Sequence, residues 1–129
     1  MASVASSLRT VIVNANITNV TTKVYRDFAP DSTVFPFVTF ADDLSRNVAL
    51  AGDGAITARE RLIQVDLWQT LDSEDVTLVE SLLDAVDSAN LTGADKTVFR
   101  CRVDDVQRLA QVDQNVCHHA LSVNVTHTN

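Results

Sequence analysis

Two adjacent histidines, His118 and His119, are the first candidates for a metal site, because neutral imidazole is a common metal ligand. They fall in a segment that alternates polar and apolar residues, which predicts a β-strand. Adjacent residues of a strand point to opposite faces, so these two rings are badly placed to bind one ion together. His127 is predicted on the face of His119 but far along the strand, and the chain has no His-Glu-x-x-His or Cys-x-x-Cys motif. We therefore predict no metal site.

The residue types that carry covalent or acid–base catalysis also lack the spacing that such catalysis needs. Cys101 and Cys117 fall within predicted strands, and the chain contains no Gly-x-Ser-x-Gly sequence. The adjacent aspartates at 42–43 and 104–105 lie in polar connections, where such pairs are usually solvated. The Gly-Asp-Gly triplet at 52–54 lacks the further glycine and the lysine of phosphate-binding loops. We predict that the chain is not an enzyme and holds no cofactor.

The length of 129 residues and the hydrophobic content of 46% predict one globular domain, residues 1–129. The formal charge is −7, and no cluster of Lys or Arg resembles a nucleic-acid-binding patch. Asp supplies 14 of the 17 acids and Lys two of the ten bases, a bias that adaptation to high salt or a GC-rich genome would each produce. The two cysteines are expected to be buried small residues, with a disulfide as the alternative. No export signal or membrane segment is predicted, so we expect folding in a cytoplasm.

Apolar periodicity predicts an α+β fold, in which an antiparallel β-sheet packs against an N-terminal helix and a central helix. The polar stretch that contains the closely spaced glycines predicts a long hairpin or loop at about 42–58. The predicted helices are residues 2–14 and about 73–89, and the predicted strands are residues 23–28, 37–40, 60–69, 97–103 and 116–126.

The central helix has the clearest helical pattern, because apolar residues repeat at positions 76, 79, 82, 83 and 86. Asp72 or Ser73 is expected to cap this helix. Glu74 and Asp75 are then expected in its first turn, where the positive end of the helix dipole favours acids.

The strand at 60–69 alternates clearly, with apolar residues at 63, 65 and 67 on the predicted core face. Trp68 shares the opposite face with Gln64 and Asp66, so we predict that this polar face is also partly covered, by a neighbouring subunit. Phe99 is predicted on the core face of the strand at 97–103, and residues 104–115 are predicted to form a polar connection.

Four short segments carry a resemblance to a known family. They are VYRDFAP at 24–30, FPFV at 35–38, VDLWQT at 65–70, and a final strand that begins near Asp113, includes His118 or His119 and continues into LSV at 121–123. Their order and spacing, over residues 1–128, resemble the tail terminator, or tail-completion, family of long-tailed phages and related archaeal viruses. Gln69 stands where that family commonly has Ser.

The resemblance implies an α+β subunit of a hexameric ring that caps the tail tube, stops its polymerisation and joins the tail to the neck. It implies a structural virion protein of the tail or neck, assembled in the host cytoplasm, without catalysis or cofactor. The implied partners are further copies of the chain, the tail tube protein and a neck or head-completion protein. DNA would pass through the lumen without specific binding, and no membrane is involved.

Contacts between subunits or rings are predicted at Arg46, Asp53, Arg59, Arg61 and Trp68. The arginines of the hairpin at 42–58 and its flank are expected to pair with acids of a neighbouring ring, and the alternative is that this segment is only a surface loop. Three other functions stay open at this stage. They are a head-completion or connector ring, a small-ligand- or metal-binding enzyme domain built around His118, His119 and Asp113, and a regulatory interaction module.

Overall fold

The computed structural model describes residues 3–42, 46–50 and 56–128, with the backbone alone described at 46–50 and 56–57. Its first helix, α1 (Val4–Asn14), begins after Ser3, whose hydroxyl accepts a hydrogen bond from the Ser6 N–H at 3.1 Å. The face of α1 that carries Leu8 and Ile12 is buried in the core. The helix predicted at 2–14 is therefore confirmed.

Within the described residues, six strands form one mixed sheet: β1 (Val24–Arg26), β2 (Phe37–Asp42), β3 (Arg46–Leu50), β4 (Ile56–Thr70), β5 (Val98–Gln111) and β6 (Val116–Thr128). The order is β1-β2-β4-β6-β5, and β3 pairs with β4 beside β2. The α+β class is confirmed. The prediction of a wholly antiparallel sheet is wrong at one edge, where β1 and β2 are parallel because the chain crosses back between them.

The core lies between the two helices and one face of the sheet. Residues 63, 65 and 67 of β4 and residues 121, 123 and 125 of β6 are fully buried on that face, so the predicted alternation is confirmed. From the central helix, α2 (Val76–Val86), Leu82 and Val86 join the same cluster. Neither of the two α-helices that the structure describes is long and apolar enough to cross a membrane.

The central helix is shorter than predicted at both ends. Its cap is Asp75, whose carboxylate accepts a hydrogen bond from the Thr77 N–H at 2.9 Å, and not Asp72 or Ser73. Residues 71–73 form a 3-10 turn instead, so Glu74 lies before the helix rather than in its first turn. The carboxylate of Asp75 satisfies an N–H that has no partner inside the helix, and this fixes where the helix starts.

The hairpin formed by β5 and β6 is longer than predicted. β5 continues to Gln111, so residues 104–111 are strand rather than a polar connection, and the turn is confined to Val112–Gln114. These strand residues are mostly exposed, because β5 is an edge strand that little else covers. A strand segment that is exposed on both faces needs no apolar alternation, and for this reason the sequence pattern predicts a loop where the structure has a strand.

The predicted position of Phe99 is wrong, because a β-bulge lies between Val98 and Arg100. The additional residue shifts the alternation along β5, so Phe99 is exposed rather than part of the core. Cys101 nevertheless returns to the core face and is buried.

The two cysteines are buried and free, which confirms the prediction of buried small residues. Cys101 lies beside Val125, whereas Cys117 lies beside Ala110. Val125 and Cys117 are eight residues apart on β6, or about 27 Å at the usual rise of a strand. A disulfide needs Cα atoms within roughly 7 Å, so the strand register excludes this pair.

Candidate assembly surface

The face of the sheet opposite the helices carries a row of three rings, Phe37, Trp68 and His118, which we call the aromatic row. They lie side by side because Phe37 pairs with Trp68 across β2 and β4, and Trp68 pairs with His118 across β4 and β6. The ring centroids of Phe37 and Trp68 are 6.2 Å apart, and those of Trp68 and His118 are 4.2 Å apart. Leu109 of β5 pairs with His118, so the row continues to the sheet edge. An apolar strip thus crosses four strands on the face that no helix covers.

Trp68 is held in place by a hydrogen bond as well as by its neighbours. Its indole N–H donates to the Thr39 hydroxyl at 2.9 Å, and Thr39 is itself buried. The half-buried state of Trp68 therefore arises in part from Phe37 and His118 of the same chain. Cover of this face by a neighbouring subunit stays a prediction.

Asp66 is a buried acid next to the aromatic row, one register position away from Trp68 on the same face. Its carboxylate accepts a hydrogen bond from the Gln64 amide at 3.0 Å, and one of its oxygens lies 4.0 Å from Nε2 of His118. Burial raises the pKa of the Asp66 carboxyl above its ordinary value, and the Gln64 amide and His118 lower it by less. The open face thus holds an acid whose charged form is poorly solvated.

Replacing Asp66 with asparagine is expected to raise the melting temperature of the isolated chain at pH 7. A raised pKa means that the folded chain binds a proton at Asp66 more readily than the unfolded chain, so the ionised acid destabilises the fold at neutral pH. The difference between the variant and the wild type should shrink as the pH falls and vanish below about 3.8, the ordinary aspartate value, where both states are neutral. Circular dichroism melts from pH 3 to 8 measure this, with the exposed Asp84→Asn as control. A variant that melts at or below the wild-type temperature at pH 7 would contradict the assignment.

A groove of about 530 Å³ opens beside the aromatic row, and we call it the apolar groove. One wall is the loop after β1, which exposes 79% of the Phe28 side chain. Phe35 also lines the groove, and its ring is tilted against that of Phe37 with the centroids 5.1 Å apart. Among the described residues that line the groove, Asp27 is the one with a charge. An apolar cleft of this size on a small domain is suited to receiving a side chain of another molecule.

On the helix side of the sheet, Glu74 ties the segment before α2 to the edge strand. It accepts two hydrogen bonds from the Arg108 guanidinium, at 2.7 and 2.8 Å, and lies 3.3 Å from Nε2 of His119. The Arg108 hydrogen bond lowers the pKa of Glu74, and burial lowers the pKa of His119. These contacts fasten two segments of the chain together, and none of them prepares a nucleophile.

The two adjacent histidines lie on opposite faces of β6, as predicted: His119 is among the buried residues of the helix side, whereas His118 stacks on Trp68. No group of three or more side chains that could hold a metal ion occurs in the part of the chain that the structure describes.

The predicted contact residues fall at two separate places. Arg46, Arg59 and Arg61 come together at the start of β4, because β3 pairs there with residues 56–60. Trp68 lies at the far end of the same strand, and Asp53 lies outside the described residues. The four described residues therefore lie near the two ends of β4, and contact with another subunit or ring stays a prediction at both places.

At the first of these places, the side chains of Arg59 and Arg61 already have partners within the chain. Arg61 donates to Asp42 at 2.9 Å, and Arg26 lies 3.8 Å from the same carboxylate. Arg59 is half-buried and also has a partner. For Arg46 the structure gives the backbone, which pairs with Glu60.

Sequence reasoning identified Trp68 but missed its surroundings. Phe37 and His118 could be placed beside it only once the register of three strands was known. Phe28, predicted at the end of a strand at 23–28, lies in the loop after β1, because the strand ends at Arg26.

The comparisons with known proteins identify the family. A family model described as "Tail completion protein gp17" matches residues 7–128. A chain of the solved structure titled "Virion of native gene transfer agent (GTA) particle" has the same fold, with a TM-score of 0.64 and 14% sequence identity over 98% of this chain and 92% of that chain. No curated protein matches the sequence. Because the family model covers nearly the whole chain, the protein is a structural component of a virion, located in its tail or neck, and it belongs to the tail completion protein gp17 family.

Proposed function

We propose that this protein is the tail terminator, which closes the head-facing end of the tail tube as a ring of six copies, stops tube polymerisation and joins the tail to the neck. Family membership supports a role in tail completion. The observation that favours a ring subunit is the open sheet face, where the aromatic row and the apolar groove present a partly exposed apolar surface. A surface of this kind on a small domain is typical of a protein that is covered by partners.

The charge of the chain fits a ring through which DNA passes. Six copies at −7 each carry a formal charge of about −42. Acids repel the phosphate backbone, so a lumen bordered by such subunits would let the genome pass without adhering. Specific binding of DNA is not part of the proposed function.

The hairpin that includes β3 and the start of β4 is the surface that we assign to the neighbouring ring, either the tail tube or the neck. Its arginines, Arg46, Arg59 and Arg61, lie at one end of the sheet, and Asp53 lies between the two strands in sequence. Exchange of the Arg61–Asp42 pair for a pair between Arg61 and an acid of another ring would fasten the two rings, and Asp42 would keep Arg26, 3.8 Å away, as its cation.

Tails assembled in cells infected by a virus that lacks this gene test the proposed function. Negative-stain images should show tubes of irregular, excessive length that carry no head, and a plasmid copy of the gene should restore the normal length. Tails of normal length that fail to join heads would instead identify a head-completion or connector ring. Light scattering on the purified protein gives the second measurement, and a mass of six chains is expected.

A further inference from the structure

Phe99 is a second exposed aromatic residue, at the opposite end of the sheet from the apolar groove. The β-bulge between Val98 and Arg100 turns it out of the core, and 62% of its side chain is exposed. Arg100 and Arg102 follow it on β5, and both are exposed. We call Phe99 with these two arginines the knob. The bulge turns a large apolar side chain towards solvent next to Arg100, while Arg102 further along lies 3.6 Å from the Asp104 carboxylate. Packing of the isolated chain does not require this arrangement.

The apolar groove has the complementary chemistry. Four aromatic residues line it together with small residues and two glutamines, and Asp27 is the one acid among the described lining residues. Two further acids, Asp31 in the same loop and Asp113 in the turn between β5 and β6, are exposed. Each is adjacent in sequence to a residue that lines the groove. No Lys or Arg occurs among the described residues that line it. The groove therefore favours an aromatic side chain that arrives with positive charge beside it.

The knob and the groove of one copy cannot meet. Arg100 pairs with Thr126, whereas Trp68 at the groove pairs with His118 on the same strand, β6. Thr126 and His118 are eight residues apart, or about 27 Å along the strand. A Phe99 side chain that enters the groove must therefore come from another copy of the chain.

We propose that the occupant of the groove is the Phe99 knob of a second copy of this chain, with Arg100 or Arg102 paired to the acids at the rim. The contact joins two different surfaces, so each copy uses its knob on one neighbour and its groove on the other. Contacts of this head-to-tail type close into rings when the rotation between copies is right. The inference rests on the proposed ring, and it names the surfaces that close it.

Two variants that each disable one surface test the contact. Phe99→Glu places an acid on the knob, and Phe28→Glu places an acid at the groove; both side chains are largely exposed, so the fold should survive in each, as circular dichroism will establish. Each variant alone should lose the ring and run as a monomer in light scattering. An equimolar mixture should form a one-to-one dimer, because the intact knob of the Phe28→Glu copy can enter the intact groove of the Phe99→Glu copy. The other knob and the other groove of this dimer each carry an introduced glutamate and repel each other, so assembly should stop at the dimer.

The control is Val76→Glu, which changes an equally exposed valine at the start of α2 and should leave the ring intact. If the wild type forms a ring and Phe99→Glu forms the same ring, the proposed contact through the knob is wrong, while the proposed function still stands. Variants that stay monomeric when mixed would also overturn this contact, because a contact between identical surfaces cannot be rescued in this way. A wild-type protein that is monomeric at high concentration, in low and high salt, would count against the ring and the knob together.

Discussion

Replacing Leu82 with alanine is expected to lower the free energy of unfolding by about 2–5 kcal/mol. Leu82 lies in the middle of α2 with none of its side chain exposed, and it belongs to the cluster formed by both helices and the covered face of the sheet. Alanine would remove buried apolar surface and leave a cavity that surrounding strands cannot readily fill. Urea unfolding followed by circular dichroism measures the change in the midpoint.

Val76→Ala provides the matched control for this experiment, because Val76 is in the same helix but 59% exposed. Its effect should stay within about 0.5 kcal/mol, as for most surface substitutions. Similar costs at the two positions would mean that α2 does not pack against the sheet through the face that carries Leu82.

The covered half of the molecule could be predicted from the sequence, because burial on one side imposes a pattern. Val65 and Leu67 of β4 and Val123 of β6 alternate with polar residues, since one face of each strand meets the helices. The same reasoning located α2, although its start was misplaced because the acid that caps it is one of several adjacent candidates.

The uncovered half could not be predicted in this way. Residues 104–111 of β5 are a strand whose apolar and polar residues follow no alternation, since solvent lies on both sides of much of it. Phe99 was misplaced because a bulge breaks the period of two, and one additional residue moves a side chain from the core to the surface. Periodicity also could not predict that β1 pairs with β2 in parallel. A strand of three residues is too short for its polar and apolar pattern to indicate the direction of its neighbour.

The candidate assembly surface lies on this unpredictable half, and its composition explains why. Trp68 and Asp66 were correctly predicted to share the polar face of the strand, but the alternation gave no indication that Asp66 is buried there. Asp66 weakens the isolated fold at neutral pH, because its burial disfavours the charge. Sequence patterns such as apolar alternation reflect what stabilises a single chain. Residues that contact another molecule need not follow these patterns, so a surface made of them is hard to predict.

Replacing Gln69 with alanine is expected to cost roughly 2–4 kcal/mol of unfolding free energy, a large effect for a polar residue. Gln69 is 2% exposed, and its amide makes two hydrogen bonds to the backbone of Asp75. It accepts from the Asp75 N–H at 2.8 Å and donates to the Asp75 carbonyl at 3.3 Å. Alanine would leave both backbone groups without these partners and would free the segment that leads into the cap of α2.

The Gln69 side chain is long enough for its amide to reach both backbone groups of Asp75. Gln107→Ala on the exposed edge strand is the control and should be nearly neutral. Gln69→Glu separates the two bonds, since its carboxylate can still accept from the Asp75 N–H but cannot donate to the carbonyl. If Gln69→Ala and Gln107→Ala have the same melting temperature, the Gln69 amide does not fix the start of α2. The hydrogen bond from the Thr77 N–H to the Asp75 carboxylate would then be enough to fix it.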